Sequence, residues 1–165
     1  MSVEAKQAKQ VIIDEIKEKL DGAQSAVVID YMGTTVAQAD ATRKKLREAN
    51  VDYTVYKNTL IKRAIEGTEF APLADVLDGP SAIAISKEDA TAPARVLKEV
   101  IDEFKKMEFK AGVVEGTFFD QNGIKEIANI PNRDVLIAKF MGSIQSPVSK
   151  AVRTFQAIAD AKAEA

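Results

Sequence analysis

The sequence predicts an α/β (α+β) chain, with a mixed four- or five-stranded sheet flanked by helices, followed by a helical C-terminal extension. Short apolar runs alternate with segments of helical periodicity, which favours a sheet covered by helices on both faces. The β-like signal ends after Asn122 and Gly123. Since 165 residues exceed the needs of a single small core, we expect a domain over residues 1–130 and a helical tail over residues 131–165.

The first elements are a helix, a strand and a second helix. Apolar residues recur at helical spacing over residues 3–20. Residues 26–31 form a largely apolar run, which is typical of a buried strand. Thr35 and Gln38 then have the spacing of a capping box. The second helix is therefore expected over about residues 36–49.

Two more units of strand followed by helix come next. Residues 51–56 alternate between apolar and polar side chains, and residues 58–65 follow in helical register. The turn-forming residues 78–80 precede the apolar run 82–85, and residues 91–106 carry one apolar helical face. Both patterns indicate a strand that leads into a helix.

A final β-like region predicts either a hairpin or one bulged strand. Residues 109–114 and 117–119 have strand character and are separated by Glu115 and Gly116. The pattern leaves the two forms open. Gly112 and Gly116 do not open a helix as a phosphate-binding glycine motif does, so a bulge or a turn explains them better.

The chain after Gly123 is predicted to hold three helical segments, and the last, in the tail, begins at Ser146 and Pro147, a favourable helix start. Its partner-binding helix is expected over about residues 147–163. That helix carries an apolar stripe, which predicts either packing on the domain core or a projecting surface for other chains. The segments are 124–129, 134–141 and 148 onward, punctuated by Pro131, Gly142 and Pro147, and the stripe comprises Val148, Ala151, Val152, Phe155, Ile158 and Ala159.

Composition excludes several classes of chemistry. The chain has no Cys and no His, which removes thiol nucleophiles, imidazole bases and Cys/His zinc sites. We therefore expect no catalytic residues, no cofactor and no metal. No apolar run has bilayer length and the first ten residues are polar, so the expected location is cytoplasmic, without a membrane.

A local basic cluster is the first candidate for a binding site. The formal net charge is −2, so attraction of RNA has to come from a local surface. The pattern fits either phosphate binding or an ordinary solvated charged face. The cluster comprises Arg43, Lys44, Lys45, Arg47, Lys57, Lys62 and Arg63, with Asn58 and Thr59 available to a sugar or base.

The alternatives to an RNA-binding scaffold are a small cytosolic enzyme and a free regulator. Asp30 ends an apolar strand, where α/β proteins often place functional carboxylates, and such an enzyme would dimerise through its tail. No companion carboxylate or lysine follows at a metal or phosphoryl spacing. A free RNA-binding regulator of translation would use the same basic surface.

Several segments together resemble the bacterial large-subunit ribosomal protein ten, the stalk-base family. The lysine–asparagine–threonine stretch within YKNTL at 56–60 is the most specific of them. The chain departs from the family pattern at Met32 and Thr34. The other segments are VIDYMGTTV at 28–36, LREA at 46–49, Arg63-Ala64, GPSAIA at 79–84, APARVL at 92–97, IPNR at 130–133 and GSIQSP at 142–147.

The resemblance implies a structural constituent of the large ribosomal subunit. Its N-terminal domain would bind ribosomal RNA beside a neighbouring large-subunit protein at the stalk base. The C-terminal helix would anchor dimers of the acidic stalk protein, two dimers being our expectation, and recruit GTP-bound translation factors indirectly. The motif positions implied for the RNA face are Gly33, Thr35, Lys57, Asn58, Thr59 and Arg63, and charge adds Arg43, Arg47, Lys6 and Lys9.

Overall fold

The structure is a computed structural model that describes the backbone of residues 3–163. It also describes the side chains in that range, except those of residues 3–6, 8, 148, 151 and 158–163. The chain forms two compact units, Met1–Ile130 and Pro131–Ala165. Within the described range, no helix is both long and apolar enough to cross a membrane.

The first unit contains five strands and confirms the predicted fold class, a sheet flanked by helices. A short 3-10 helix over Ala71–Val76 has no counterpart in the prediction. The remaining elements are α1 Val3–Leu20, β1 Ser25–Asp30, α2 Val36–Glu48, β2 Val51–Thr54, α3 Asn58–Ile65, β3 Ala82–Ser86, α4 Ala92–Phe104, β4 Glu108–Val114, β5 Thr117–Asp120 and α5 Gln121–Ile127.

The sheet is antiparallel at every pairing, where mixed strand directions were expected. Its strand order is β2-β3-β1-β4-β5. A helix that joins two strands usually makes them parallel neighbours, but β3 lies between β1 and β2 and pairs antiparallel with both. β1 and β2 therefore end at the same end of the sheet, where β3 and β4 begin. We call this the carboxyl end.

Helices cover both faces of the sheet, and the central strand β1 is therefore buried on both sides. Val27 and Ile29 belong to the core under α2, α4 and α5. Ala26 and Val28 belong to the core under α1 and α3. These strand residues are fully buried, as is Ile16 of α1. Each large apolar side chain that is buried in this way contributes roughly 1.5–3 kcal/mol.

β4 and β5 form a hairpin, which settles the alternative that the sequence left open. Glu115 and Gly116 both have positive φ, 50° and 74°, as the two central residues of a type I′ turn require. Gly112 is neither a bulge nor a turn, since it pairs with Val27 and Phe119 inside the sheet. The β1–β4 register shifts between Val28 and Ile29 instead, which makes Lys110 the extra residue.

The second unit contains α6, Arg133–Ala163, a single helix of 31 residues. The Asn132 side chain caps its start, because Oδ1 accepts a hydrogen bond from the Val135 amide at 3.1 Å. The predicted break and the helix start at Ser146 are wrong, since Pro147 lies inside the helix. An interior proline removes one backbone hydrogen bond and crowds the preceding turn, yet apolar residues continue at helical spacing on both sides, at Ile144 and Val152, and the helix does not end at Pro147.

Candidate functional site

A groove between α1 and α3 brings together residues that are distant in the sequence. Its volume is about 580 Å3. The lining includes Lys9, Lys57 and Arg63, and none of the described lining residues is a carboxylate. We call it the basic groove, and its lining residues are Lys9, Gln10, Ile13, Lys57, Thr59, Leu60 and Arg63. Four predicted RNA-binding residues, Lys9, Lys57, Thr59 and Arg63, therefore share one surface, while the side chain of Lys6, which was also predicted, lies outside the described residues.

Local structure presents Lys57 and Arg63 to solvent. Lys57 is in extended conformation immediately before α3, and its carbonyl accepts the amide of Leu60 at 2.8 Å. Leu60 and Ile61 turn inward to the core shared with α1, which leaves Lys57, Thr59 and Arg63 exposed. Among the side chains that the structure describes, no carboxylate lies within 4.0 Å of Lys57 or Arg63. Their charges therefore remain available to an anionic partner.

Asn58 was also predicted to bind RNA, but its side chain is hydrogen-bonded to the loop over residues 78–81. Its Nδ2 donates to the Gly79 carbonyl at 2.7 Å. Lys110, which the sequence analysis missed, binds the same loop by donating to the Pro80 carbonyl at 2.8 Å and to Ser81 Oγ at 3.0 Å. Its side chain is only 16% exposed and lies 3.5 Å from Asp30 Oδ2. The sequence does contain a signal for this role, because Lys110 is the one charged residue in the otherwise apolar run 109–114.

The turn between β1 and α2 positions Gly33 and Thr35 at the carboxyl end. Gly33 has φ 79°, which glycine adopts without strain. The predicted capping box is confirmed, because Thr35 Oγ accepts the Gln38 amide at 3.4 Å and Gln38 Oε1 accepts the Thr35 amide at 3.1 Å. Thr35 and Arg43 line a separate concavity on the α2 side.

The predicted basic cluster is thus divided between two faces of the sheet. Arg43 and Arg47 belong to α2, which packs on the face opposite to α3. Arg43 Nη1 is 3.1 Å from Asp40 Oδ1, and Lys45 Nζ is 2.6 Å from Glu103 Oε2. The basic groove is therefore smaller than the sequence suggested and is completed by Lys9 of α1.

Asp30, the candidate of the enzyme alternative, has a structural role. Its Oδ1 accepts the Met32 amide at 2.9 Å and its Oδ2 faces Lys110. These contacts fix the turn that follows β1. In the described part of the chain, no group of three or more acidic side chains is arranged to hold a metal ion.

α6 carries an exposed apolar surface that extends beyond the predicted stripe. Val152 is 56% and Phe155 is 72% exposed, and the side chains of Val148, Ala151, Ile158 and Ala159 lie outside the described residues. Leu136, Phe140 and Ile144 were not predicted to belong to the stripe, although their spacing of four places them on one helix face. The exposed large apolar side chains on α6 are Val135, Leu136, Ile137, Phe140, Met141, Ile144, Val152 and Phe155.

Comparison with known proteins identifies the class of the chain as a large-subunit ribosomal protein. It is 48% identical to large ribosomal subunit protein uL10 of Clostridioides difficile (strain 630) over 152 residues, which cover 92% of this chain and 90% of that protein. It is 42% identical to the uL10 proteins of Bacillus cereus (strain B4264) and Bacillus anthracis (strain A0248) over 158 residues, 96% of this chain and 95% of each relative.

The chain belongs to the family described as Ribosomal protein L10, which matches residues 4–102. The family described as Ribosomal protein uL10 C-terminal region matches residues 130–165. The resemblance inferred from the sequence is therefore confirmed. The family consists of structural proteins of the ribosome, cytoplasmic in bacteria, and not of enzymes, which excludes the enzyme alternative.

Proposed function

We propose that this chain binds large-subunit ribosomal RNA through the basic groove and anchors dimers of the acidic stalk protein along α6. Residues 1–130 are the RNA-binding domain, which lies beside a neighbouring large-subunit protein at the stalk base. Residues 131–165 are the partner-binding tail. By holding the stalk protein on the ribosome, the tail supports the recruitment of GTP-bound translation factors indirectly.

The observation that carries the RNA assignment is the composition of the basic groove. Lys57 and Arg63 are exposed there with no described carboxylate within 4.0 Å, and Lys9 lies beside them, in a chain whose formal net charge is −2. Phosphate contacts supply most of the affinity of proteins for RNA, and they need cations that are not neutralised within the protein. The amino end of α3, which follows Lys57 directly, adds the positive end of a helix dipole.

Charge and apolar surface on α6 both favour an acidic protein as the partner of the tail. The helix exposes large apolar side chains from Val135 to Phe155. At about 1.5 Å per residue, its 31 residues extend for roughly 46 Å, which is long enough for more than one partner. Between residues 133 and 157 the sequence has four basic residues, Arg133, Lys139, Lys150 and Arg153, against one acidic residue, Asp134.

Charge reversal in the basic groove tests the RNA assignment. We expect Lys57→Glu or Arg63→Glu to weaken binding to purified large-subunit RNA about tenfold at moderate salt, because each removes a phosphate contact. The slope of log Kd against log salt should fall by about 1 for each contact that is lost. Filter binding at a series of salt concentrations measures both quantities.

Lys125→Glu is the matched control, because it makes the same charge change at an exposed position on α5, outside the groove and outside the predicted basic cluster. It should change affinity much less and should leave the salt slope unchanged. Equal effects of Lys125→Glu and Lys57→Glu would mean that only the total charge matters, and the groove assignment would fail.

A further inference from the structure

A second concavity lies at the carboxyl end of the sheet, on the face covered by α2. It measures about 240 Å3, and its lining combines two aromatic rings, one cation and no carboxylate. We call it the tyrosine pocket. It is lined by Tyr31, Thr34, Thr35, Val36, Ala39, Arg43, Tyr53, Val55 and Met107.

The two tyrosines owe their positions to the strand order. Tyr31 follows β1 and Tyr53 lies in β2, and both are half-buried against the same core. β3 separates the two strands and presents Ala82 and Ala84 to that core. Because these side chains are small, the rings are not forced apart by bulky neighbours and can form two sides of one pocket.

The remaining lining suits a flat ligand that has polar edges. Val36 is 78% and Val55 is 42% exposed, so core packing does not account for these apolar side chains. Arg43 uses Nη1 for Asp40 and retains other N–H groups. The Thr34 hydroxyl donates to the Tyr31 carbonyl at 2.6 Å, which leaves its oxygen able to accept another hydrogen bond.

We infer that the tyrosine pocket receives one unpaired base of the RNA that is held in the basic groove. Single-stranded RNA is recognised by stacking of extruded bases on aromatic side chains and by hydrogen bonds to base edges, and this pocket offers both. Its volume is below the roughly 300–1,000 Å3 that larger ligands occupy. A single base therefore fits it better than a larger molecule.

The two sites are close enough to serve one RNA strand. Val55 lines the pocket and Lys57 lines the groove, so the Cα atoms of these two lining residues, in the segment that follows β2, are at most about 7 Å apart. The inference rests on the proposed RNA binding, because the groove supplies the phosphate contacts that hold the strand. The pocket adds recognition of unpaired structure, which phosphate contacts alone do not provide.

Two footprints on purified large-subunit RNA separate the pocket from the groove. Hydroxyl radicals report contact with the RNA backbone, whereas dimethyl sulfate and a carbodiimide report protection of unpaired bases. The variants are Tyr53→Leu, which keeps an apolar side chain but removes the ring, and Tyr53→Phe, which keeps the ring. Phe118→Leu on β5 is the matched control, since it removes an exposed aromatic ring elsewhere.

We expect the wild type to protect at least one unpaired base, and Tyr53→Leu to lose that protection while the backbone footprint persists. Affinity should fall about 5- to 150-fold, the range for loss of one stacked base, with an unchanged salt slope. Tyr53→Phe and Phe118→Leu should behave as wild type, and circular dichroism should show the same fold for all variants.

Three results would contradict the inference. A wild-type backbone footprint without any protected unpaired base would overturn it while leaving the proposed RNA binding intact. Base protection that survives Tyr53→Leu, with loss of a neighbouring protein from reconstituted particles, would assign the pocket to protein docking. Absence of any wild-type footprint would remove the proposed RNA binding itself.

Discussion

Individual polar and charged side chains in this protein divide into those that hold the fold and those that face outward. Lys110 and Asn58 are hydrogen-bonded to the loop over residues 78–81. Lys57 and Arg63 are exposed and line the basic groove. Residue type alone does not distinguish the two groups. Lys110 is the extra residue at the register shift in β4, and it holds the loop by donating hydrogen bonds to Pro80 and Ser81.

Gly112 shows how one residue controls the packing of a helix on the sheet. A Cβ at this position would lie 2.6 Å from Ile124 Cδ1 and 3.2 Å from the Ala26 carbonyl oxygen. We expect Gly112→Ala to lower the free energy of unfolding by about 1–3 kcal/mol, the usual cost of overpacking. Urea denaturation of the full chain measures this change.

Ile124→Val supplies the control for that measurement, because it removes Cδ1, the atom in closest contact. The cost of Gly112→Ala should be smaller in the Ile124→Val background by about 1 kcal/mol, as expected for residues in direct contact. If the cost is the same in both backgrounds, contact with Ile124 is not the reason that position 112 is glycine.

At the scale of single elements, the sequence predicted type and position well. The predicted helices over residues 3–20 and 58–65 coincide with α1 and α3. Local periodicity and capping residues determine such elements, and both are visible in one sequence. The continuity of α6 was missed because Pro147 and Gly142 are ordinary stop signals, and a continuing apolar face can outweigh them.

α6 should bind its partner over both halves. We expect Phe155→Asp and Phe140→Asp each to weaken capture of the acidic stalk protein, because an apolar contact worth roughly 1.5–3 kcal/mol is replaced by a charge. Phe140 and Phe155 are 67% and 72% exposed, so neither change should lower the melting temperature of the domain. Native mass spectrometry of the full chain with the partner counts the bound copies.

Gln156→Asp is the control for the tail, since it introduces the same charge at an exposed polar position next to Phe155. It should retain the full number of partner copies. Retention of all copies by Phe140→Asp would confine the binding surface to the second half of α6.

At the scale of the whole molecule, the arrangement of the strands could not be predicted from the sequence pattern. The pattern predicted four or five strands, but the choice of neighbours depends on pairing between distant segments, and β3 between β1 and β2 has no local signal. The same limit applies to the candidate site. Lys9 joins Lys57 and Arg63 only because α1 packs beside α3.

The two compact units should be separable in function. A chain that ends at Ile130 keeps every residue of the sheet and of the basic groove. We expect its affinity for large-subunit RNA to stay within about twofold of the full chain, since additivity holds for independent sites, and its binding of the acidic stalk protein to be lost. Filter binding and native mass spectrometry test the two halves of this statement.

A chain that ends at Asn132 is the control for that truncation, because it retains the capping residue of α6 but none of the helix. It should match the shorter chain in both assays. A large loss of RNA affinity in both truncated chains would show that the tail contributes to RNA binding.

The position of β3 also governs what a growing polypeptide can do during its synthesis. When only the first 80 residues have been made, β1 and β2 exist without any pairing partner, because β1 pairs with β3 and β4 and β2 pairs with β3. At roughly 5–20 residues per second, several seconds pass before residue 114 completes the central strands. During this interval both edges of β1 and one edge of β2 are open to wrong partners, and α1 and α3 pack on a sheet face, so we expect the nascent chain to depend on chaperones to protect these edges.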